Sequence, residues 1–390
     1  MSDIIHYNLD DIDKVGANFN IIFGERSNGK SYQVKHKKGV LLYLNGATSY
    51  HDLYYDKGNI IKESITKGRR FFLLRRYQEE IKSNFIEQYF ADVDIEKITE
   101  GKYNMVTMYR GALYLSSYDF TSAKTTKGEK IGYIGSLSTE QNYAGGSYLD
   151  VTDIIFEEFM ARSNNRFAPY LYDESNKLLN FYSTIDRKRG TTRVWMVGNS
   201  ISQVCPYLKD WDIQDIILNM KQGEIKTKWI KTGDVDDNGV DVEVKIAMEF
   251  CKSTSKSSYV FGTHANMLNK GDWQRDIQPH LKGSYKDYKL LYRIGLEYKG
   301  FKWLGEYLLD NDSNTCWFIY PYKKEFKSNL LVFSDIIKTS RYYQRDIYNP
   351  SIRNENIIRI LQTFKENKIF YSDDLSGTNF KQSIDFMIRK

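Results

Sequence analysis

Residues 19–31 constrain this chain more than any other stretch. Phe19–Phe23 (FNIIF) is an apolar run of strand length. Gly24-Glu25-Arg26-Ser27-Asn28-Gly29-Lys30-Ser31 follows at once and fits G-x-x-x-x-G-K-[ST], and the segment from Lys30 can start a helix. In such a strand, loop and helix, glycines at both ends let backbone N–H groups turn inward, and the helix N-terminus adds its positive dipole end. The arrangement is suited to phosphate oxygens: Lys30 is expected to reach the β and γ phosphates of ATP, and the Ser31 hydroxyl to ligate Mg²⁺. An ordinary glycine turn capped by Ser31 is the alternative, and the flanking strand and helix argue against it.

The chain has 390 residues, and at ~150 residues per domain that suggests two or three domains. Hydrophobic residues at 41%, with 31 Tyr and 21 Phe, rule out a disordered chain. A net charge of +6 is too small to indicate a nucleic-acid partner, so any basic surface must be local. Cys205, Cys251 and Cys316 are far apart and odd in number, which excludes a disulfide framework or a zinc ribbon and points to a reducing compartment. Met1–Lys14 holds four Asp and no apolar run of signal-peptide length, and nowhere do about 18 apolar residues follow one another. The expectation is a protein neither secreted by that route nor associated with a membrane.

Three further apolar runs follow: Arg69–Tyr77, Val151–Phe159 and Arg193–Gly198, the last ending at Asn199. With Phe19–Phe23 they predict an α/β fold on a largely parallel, covered sheet. Tyr103–Ser117 alternates around Arg110-Gly111 and predicts a hairpin added to that sheet. Glu224–Thr232 and Val240–Phe250, separated by the polar turn Asp234–Gly239, are expected to complete a first domain over residues 1–250. Polar Lys252–Ser258 marks a linker over 251–280, and 281–390 reads as a second αβ domain. Its strands are expected at Tyr288–Tyr298, Phe301–Leu309 and Thr315–Tyr320, and a helix at Asn354–Glu366. No internal repeat is evident.

A phosphate loop needs a second strand that brings carboxylates to Mg²⁺ and to the attacking water. Asp153-Ile154-Ile155-Phe156-Glu157-Glu158 offers both: Glu157 for the magnesium shell and Glu158 for orienting water. Glutamate in place of the usual aspartate moves the first carboxylate by about 1.5 Å. The plain alternative is two exposed acids at a strand end. Asn199 could hydrogen-bond the γ-phosphate or the attacking water, or simply cap a turn. Arg187 and Arg189, in Asp186-Arg187-Lys188-Arg189-Gly190, could stabilise γ-phosphate charge from a neighbouring subunit of a ring, or form a solvated basic loop. Arg75 and Arg76 could share the loop's sheet edge or lie at a subunit contact. Lys35, Lys37 and Lys38, with Lys124, Lys127 and Lys130, form local basic patches able to track a phosphate backbone, though each alone suits a solvated face.

Taken in order, IIFGERSNGKSY, FFLLRRYQEEIK, DIIFEEF, DRKR and VWMVGNSIS with Pro206-Tyr207 resemble the DNA-packaging ATPases of small tailed phages of the phi29 type. The resemblance is strongest over residues 15–210; beyond it only Tyr298-Lys299-Gly300-Phe301 looks similar. It implies an ATPase of the additional-strand, catalytic-glutamate class, a linker, and an RNase H-like domain that has lost nuclease activity. It also implies a pentameric ring in the host cytoplasm, transiently at the portal vertex of the empty capsid, driving double-stranded DNA inward, in some members with a structural RNA. On this chain it makes Lys30 and Ser31 the phosphate and magnesium contacts, Glu158 the catalytic glutamate, Asn199 the coupling residue, Arg187 the trans-acting finger and Arg189 second to it. A trans-acting lysine that relatives carry before the acidic strand has no counterpart in Asn142–Ser147. Glu297, Asp335, Asp373 and Asp374 are the carboxylates from which an active nuclease would have to be built. A helicase-like ATPase, a small-molecule kinase and a nucleotide-gated scaffold that does not translocate are the competing readings.

Overall fold

The computed structural model describes residues 7–45, 69–161, 170–236, 239–253, 270–336, 338–340, 342–347, 350–366 and 369–384. The chain divides into two compact units. The first comprises residues 1–160, 170–199 and 216–257, and the second 161–169, 200–215 and 258–390. Of the stretch expected to be a linker, residues 254–269 lie outside the described residues.

The first unit is built on nine strands: β1 (Phe19–Gly24), β2 (Arg70–Arg75), β3 (Met105–Tyr109), β4 (Ala112–Asp119), β5 (Lys124–Ser136), β6 (Val151–Glu157), β7 (Arg193–Asn199), β8 (Ile225–Val235) and β9 (Asp241–Phe250). Their order across the sheet is β3-β4-β5-β2-β6-β7-β1-β9-β8. Neighbours from β5 through β9 run parallel, and antiparallel pairs close both edges. The four apolar runs read from the sequence are β1, β2, β6 and β7. They form adjoining central strands because a parallel strand covered on both faces has to be apolar throughout; every residue of β1 and β6 is buried. The mixed α/β class with a parallel-rich sheet is as expected.

Register sets what meets at the strand ends. Gly24 pairs with Asn199 and Glu157 with Val197, so the loop after β1 opens beside the acidic end of β6, with β7 between them. One face of the sheet packs Ile22, Val34, Phe71, Ile155 and Trp195 into a single core. On the other, Phe72 meets Phe181 of the helix Glu174–Asp186 edge-on at 4.9 Å between ring centroids, with Tyr143 at 5.4 Å.

One feature differs from expectation. Lys124–Ser136, whose lysines suggested only a basic patch, is a 13-residue strand. Its exposed first half pairs antiparallel with β4, while its buried apolar end runs parallel to β2, so no single period covers it. The hairpin of β8 and β9 exists as expected, and its second strand also pairs parallel with β1.

The second unit has a six-stranded sheet ordered β14-β13-β10-β11-β12-β15. β10 (Lys289–Tyr298), β11 (Phe301–Leu309) and β12 (Thr315–Pro321) are the three strands read from the sequence, and they pair as an antiparallel meander. The turn at Lys299-Gly300 has φ of +51° and +81°, the left-handed pair that two-residue hairpins favour. β13 (Val332–Ser334), β14 (Tyr343–Gln344) and β15 (Ile369–Tyr371) extend it in parallel and are too short to carry a readable period. Trp303, Trp317, Phe333 and Phe380 fill its core. The expected helix begins at Glu355, where the Asn354 side chain accepts N–H bonds from Asn356 and Ile357.

Candidate functional site

The loop after β1 is shaped by close approach and by handedness. At Gly24 a Cβ would lie 3.1 Å from the Cβ of Cys251, and Gly29 has φ of +94°, which only glycine adopts without strain. The helix Lys30–Lys35 starts directly behind. Lys30 is 4% exposed, and its ammonium donates to the Glu25 carbonyl and, at 3.0 Å, to Asn28 Oδ1. Among the described residues no carboxylate lies within ion-pair distance of it. Burial pulls its pKa below the ordinary lysine value. A buried ammonium held by neutral oxygens is costly unless an anion completes its shell.

Ser31 Oγ donates to Glu157 Oε2 at 2.9 Å. The other oxygen of Glu157 accepts from the hydroxyl of Tyr89, at 2.8 Å, on the helix Ser83–Phe90. Burial raises the Glu157 carboxyl above its ordinary pKa, opposed by those two bonds. Glu158 is next, with φ of +56°; its carboxylate is exposed and lies 3.3 Å from an Arg75 Nη. Arg75 also binds Glu80 at 2.9 Å and lies over the Phe85 ring. Arg76, from the same strand end, binds buried Glu174 at 3.0 Å and the Phe159 carbonyl at 2.7 Å.

These groups enclose a cavity of about 800 Å³ lined by Arg26 to Gln33, Asp92, Glu157, Glu158 and Val197 to Asn199. It stands at the carboxyl ends of parallel strands, where open α/β sheets take their ligands. The expected loop residues therefore separate. Arg26, Ser27, Asn28, Gly29, Lys30 and Ser31 line the cavity, whereas Gly24 and Glu25 are buried beneath it, with Glu25 accepting from Ser253 Oγ at 2.7 Å. Lys30 and the loop N–H groups could hold a polyphosphate, and Ser31 with Glu157 could present two oxygens to a hard divalent cation.

Arg187 and Arg189 are not brought to this cavity. They follow the helix Glu174–Asp186 at the amino ends of β6 and β7, six residues of strand from Glu157, or about 20 Å. Arg187 is exposed with φ of +50° and donates to the Gly146 carbonyl. Arg189 spends its guanidinium on the carbonyls of Asp186, Leu149, Ile185 and Val151, at 2.6–3.2 Å. Its geometry is that of a structural clamp.

The basic patch expected at Lys35, Lys37 and Lys38 is corrected: these lysines pair with Asp92, Asp10 and Asp13 at 2.5–2.7 Å. Lys124 and Lys127 are exposed, Lys127 over the Tyr109 and Tyr114 rings, and Lys130 is half-buried on the Tyr133 ring. Tyr89 and Asp92 were missed by sequence reasoning, since no spacing rule connects a helix 70 residues upstream with the acidic strand. In the second unit Glu297 lies near Lys338, Asp335 pairs with Lys209, Asp373 caps Ser376, and Asp374 binds His280. Among the described residues no three His, Cys, Asp or Glu side chains are grouped to hold a metal ion, and no helix is long and apolar enough to cross a membrane.

Residues 32–222 match the family model of the Podovirus DNA encapsidation protein (Gp16). The chain is 24% identical over 271 residues to the DNA packaging protein of Bacillus phage phi29, covering 67% of this chain and 70% of that protein. It is 28% identical over 168 residues to the DNA packaging protein of Bacillus phage B103, spanning under half of that protein at 46%. A chain of the bacteriophage Phi-29 viral genome packaging motor assembly superposes with a TM-score of 0.52 at 18% identity, covering 97% of this chain and 99% of that one, a likeness of fold. The sequence motifs and these matches agree, and the chain is a relative of the DNA packaging proteins of phi29-type phages.

Proposed function

We propose that this protein is the ATP-hydrolysing subunit of a motor that packages double-stranded viral DNA into an empty capsid, working as a homo-oligomeric ring at the portal vertex in the host cytoplasm. The observation that carries the reading is Lys30: a buried ammonium with no carboxylate within ion-pair distance among the described residues, in the wall of a cavity that Ser31, Glu157 and Glu158 also line. The insertion of β7 between β1 and β6 supports the additional-strand, catalytic-glutamate class of P-loop ATPases.

In this reading the loop N–H groups and Lys30 bind and orient the triphosphate of ATP. Ser31 and Glu157 would hold Mg²⁺, which when bound neutralises charge on the β and γ oxygens. Glu158 leaves Arg75, orients the attacking water and accepts its proton as the γ-phosphoryl is transferred. Asn199, hydrogen-bonded through strand pairing beside Gly24, reports the state of the site to β7. Arg187 acts on the cavity of the neighbouring subunit, since within its own chain it stands at the far end of the strands; Arg189 holds the loop that presents it. The second unit is assigned as an RNase H-like domain that binds DNA, the portal or a structural RNA without cutting.

A packaging assay with purified empty capsids tests the proposal. The wild-type chain should protect capsid-length DNA from nuclease in an ATP-dependent way. Glu158→Gln should still bind ATP while hydrolysis falls by about 10² or more and packaging stops. Wild-type hydrolysis retained by that variant would overturn the assignment.

A further inference from the structure

We propose that Tyr89 is a positioning residue for the metal-side glutamate: its hydroxyl holds one oxygen of Glu157, so that only the other is presented to Ser31 and the cavity. This deepens the ATPase reading and rests on it. The acid at this position is a glutamate, whose extra methylene gives its carboxylate one more torsion to order than an aspartate would have. The two oxygens of Glu157 have different partners. Oε1 accepts from Tyr89 at 2.8 Å and Oε2 from Ser31 at 2.9 Å, which fixes the plane of the carboxylate from both ends.

Tyr89 is itself held in place. Its ring lies tilted against Phe85 at 5.6 Å between centroids and edge-on at 4.9 Å against Phe90, and the Lys35 ammonium lies 4.7 Å over its face. Lys35 also donates to the Tyr89 carbonyl and pairs with Asp92, a wall of the cavity. The helix Ser83–Phe90 thus reaches the helix behind the phosphate loop as well as the acidic strand, so its tyrosine is tied to both halves of the site. Outer partners of this kind orient ligands that a metal would otherwise have to order, and their loss commonly costs 10- to 100-fold in metal affinity.

Tyr89→Phe removes the hydroxyl and leaves the ring contacts. The full chain would be titrated with MgCl₂ at fixed concentrations of a fluorescent ATP analogue, reading binding as well as hydrolysis. The expected result is a rise of about tenfold or more in the Mg²⁺ concentration for half-saturation, with metal-free binding of the analogue close to wild type. Glu157→Asp, which draws the carboxylate away from the hydroxyl, should show a similar shift, and the double variant Tyr89→Phe with Glu157→Asp no more than either alone. An unchanged Mg²⁺ midpoint in Tyr89→Phe, or shifts that simply add in the double variant, would overturn the role of Tyr89 while leaving the ATPase reading intact. Should Tyr89→Phe not fold, the Glu157→Asp titration decides alone, an unshifted midpoint counting against the proposal. Failure of the wild-type chain to bind the analogue at all would overturn both readings.

Discussion

At the carboxyl end of the parallel strands Lys30 is buried with no carboxylate within ion-pair distance among the described residues, and buried Glu249, on β9, accepts from the Tyr7 hydroxyl at 2.7 Å. At the amino end of the same strands the buried Asp186 carboxylate accepts N–H bonds from Gly190, Thr191 and Thr192 at 2.8–3.1 Å, while Arg189 donates to four carbonyls. Both ends bury charge, and they do so differently. At the amino end backbone groups of the chain itself take up the buried carboxylate and the guanidinium, which makes a scaffold; at the carboxyl end the Lys30 ammonium rests on neutral oxygens, which is where an anionic ligand gains most. Lys30 and Glu157, both shifted by burial and both lining the cavity, carry the same message.

The comparison can be broken by removing the groups one at a time. The largest effect is expected from Lys30→Met, which should lower ATP hydrolysis by about 10³ while leaving urea stability unchanged or raised, because a desolvated ammonium is exchanged for an apolar side chain. A variant less stable than wild type would show Lys30 to be scaffold after all. At the other end Asp186→Ala should cost about 3 kcal/mol in urea unfolding, since it strands three backbone donors at once. A loss below about 1 kcal/mol would mean that this end is not what holds the loop.

A pH scan sharpens the contrast. Burial raises the Glu249 carboxyl to about 7, so the folded state binds a proton that the unfolded chain releases near the ordinary carboxylate value. The stability due to this protonated group is present at acid pH and is lost as pH rises towards 7; on the order of 3 kcal/mol is at stake. Glu249→Gln should flatten that slope in unfolding curves taken between pH 4.5 and 8, and an unaltered slope would assign the titration elsewhere. The smallest effect on folding is expected from Arg187→Ala, within about 0.5 kcal/mol of wild type because the side chain is exposed. Its lost hydrolysis should return when it is mixed with Glu158→Gln subunits, each supplying what the other lacks; no recovery would argue against a role between subunits.

Much of this contrast was legible in the sequence at one end only. FNIIF, the glycine pattern and the DIIFEE run specify local conformation, so the sequence alone puts the loop, Lys30, Ser31 and the acidic pair at strand ends. The amino end is not legible because Arg189 is a charged letter in a basic loop, and sequence does not say that its donors go to backbone carbonyls, two of them 38 and 40 positions away. Lys35, Lys37 and Lys38 were misjudged for the same reason: their aspartate partners come from two other segments. Strand β5 eluded the period rule because its two halves face different surroundings, and Tyr89 because a tyrosine at helical spacing looks like any other core residue until the strand it faces is known.

The position of β7 has a mechanical consequence. Bonded along one edge to the strand before the loop and along the other to the strand that ends in the acids, it rivets the two jaws of the cavity at a fixed gauge. To slide one jaw past the other would strip two ladders together, so movement within the cavity is left to groups that the ladders do not hold, Glu158 just past the end of β6 and the side chain of Asn199 at the last rung, while the sheet itself stays an anvil.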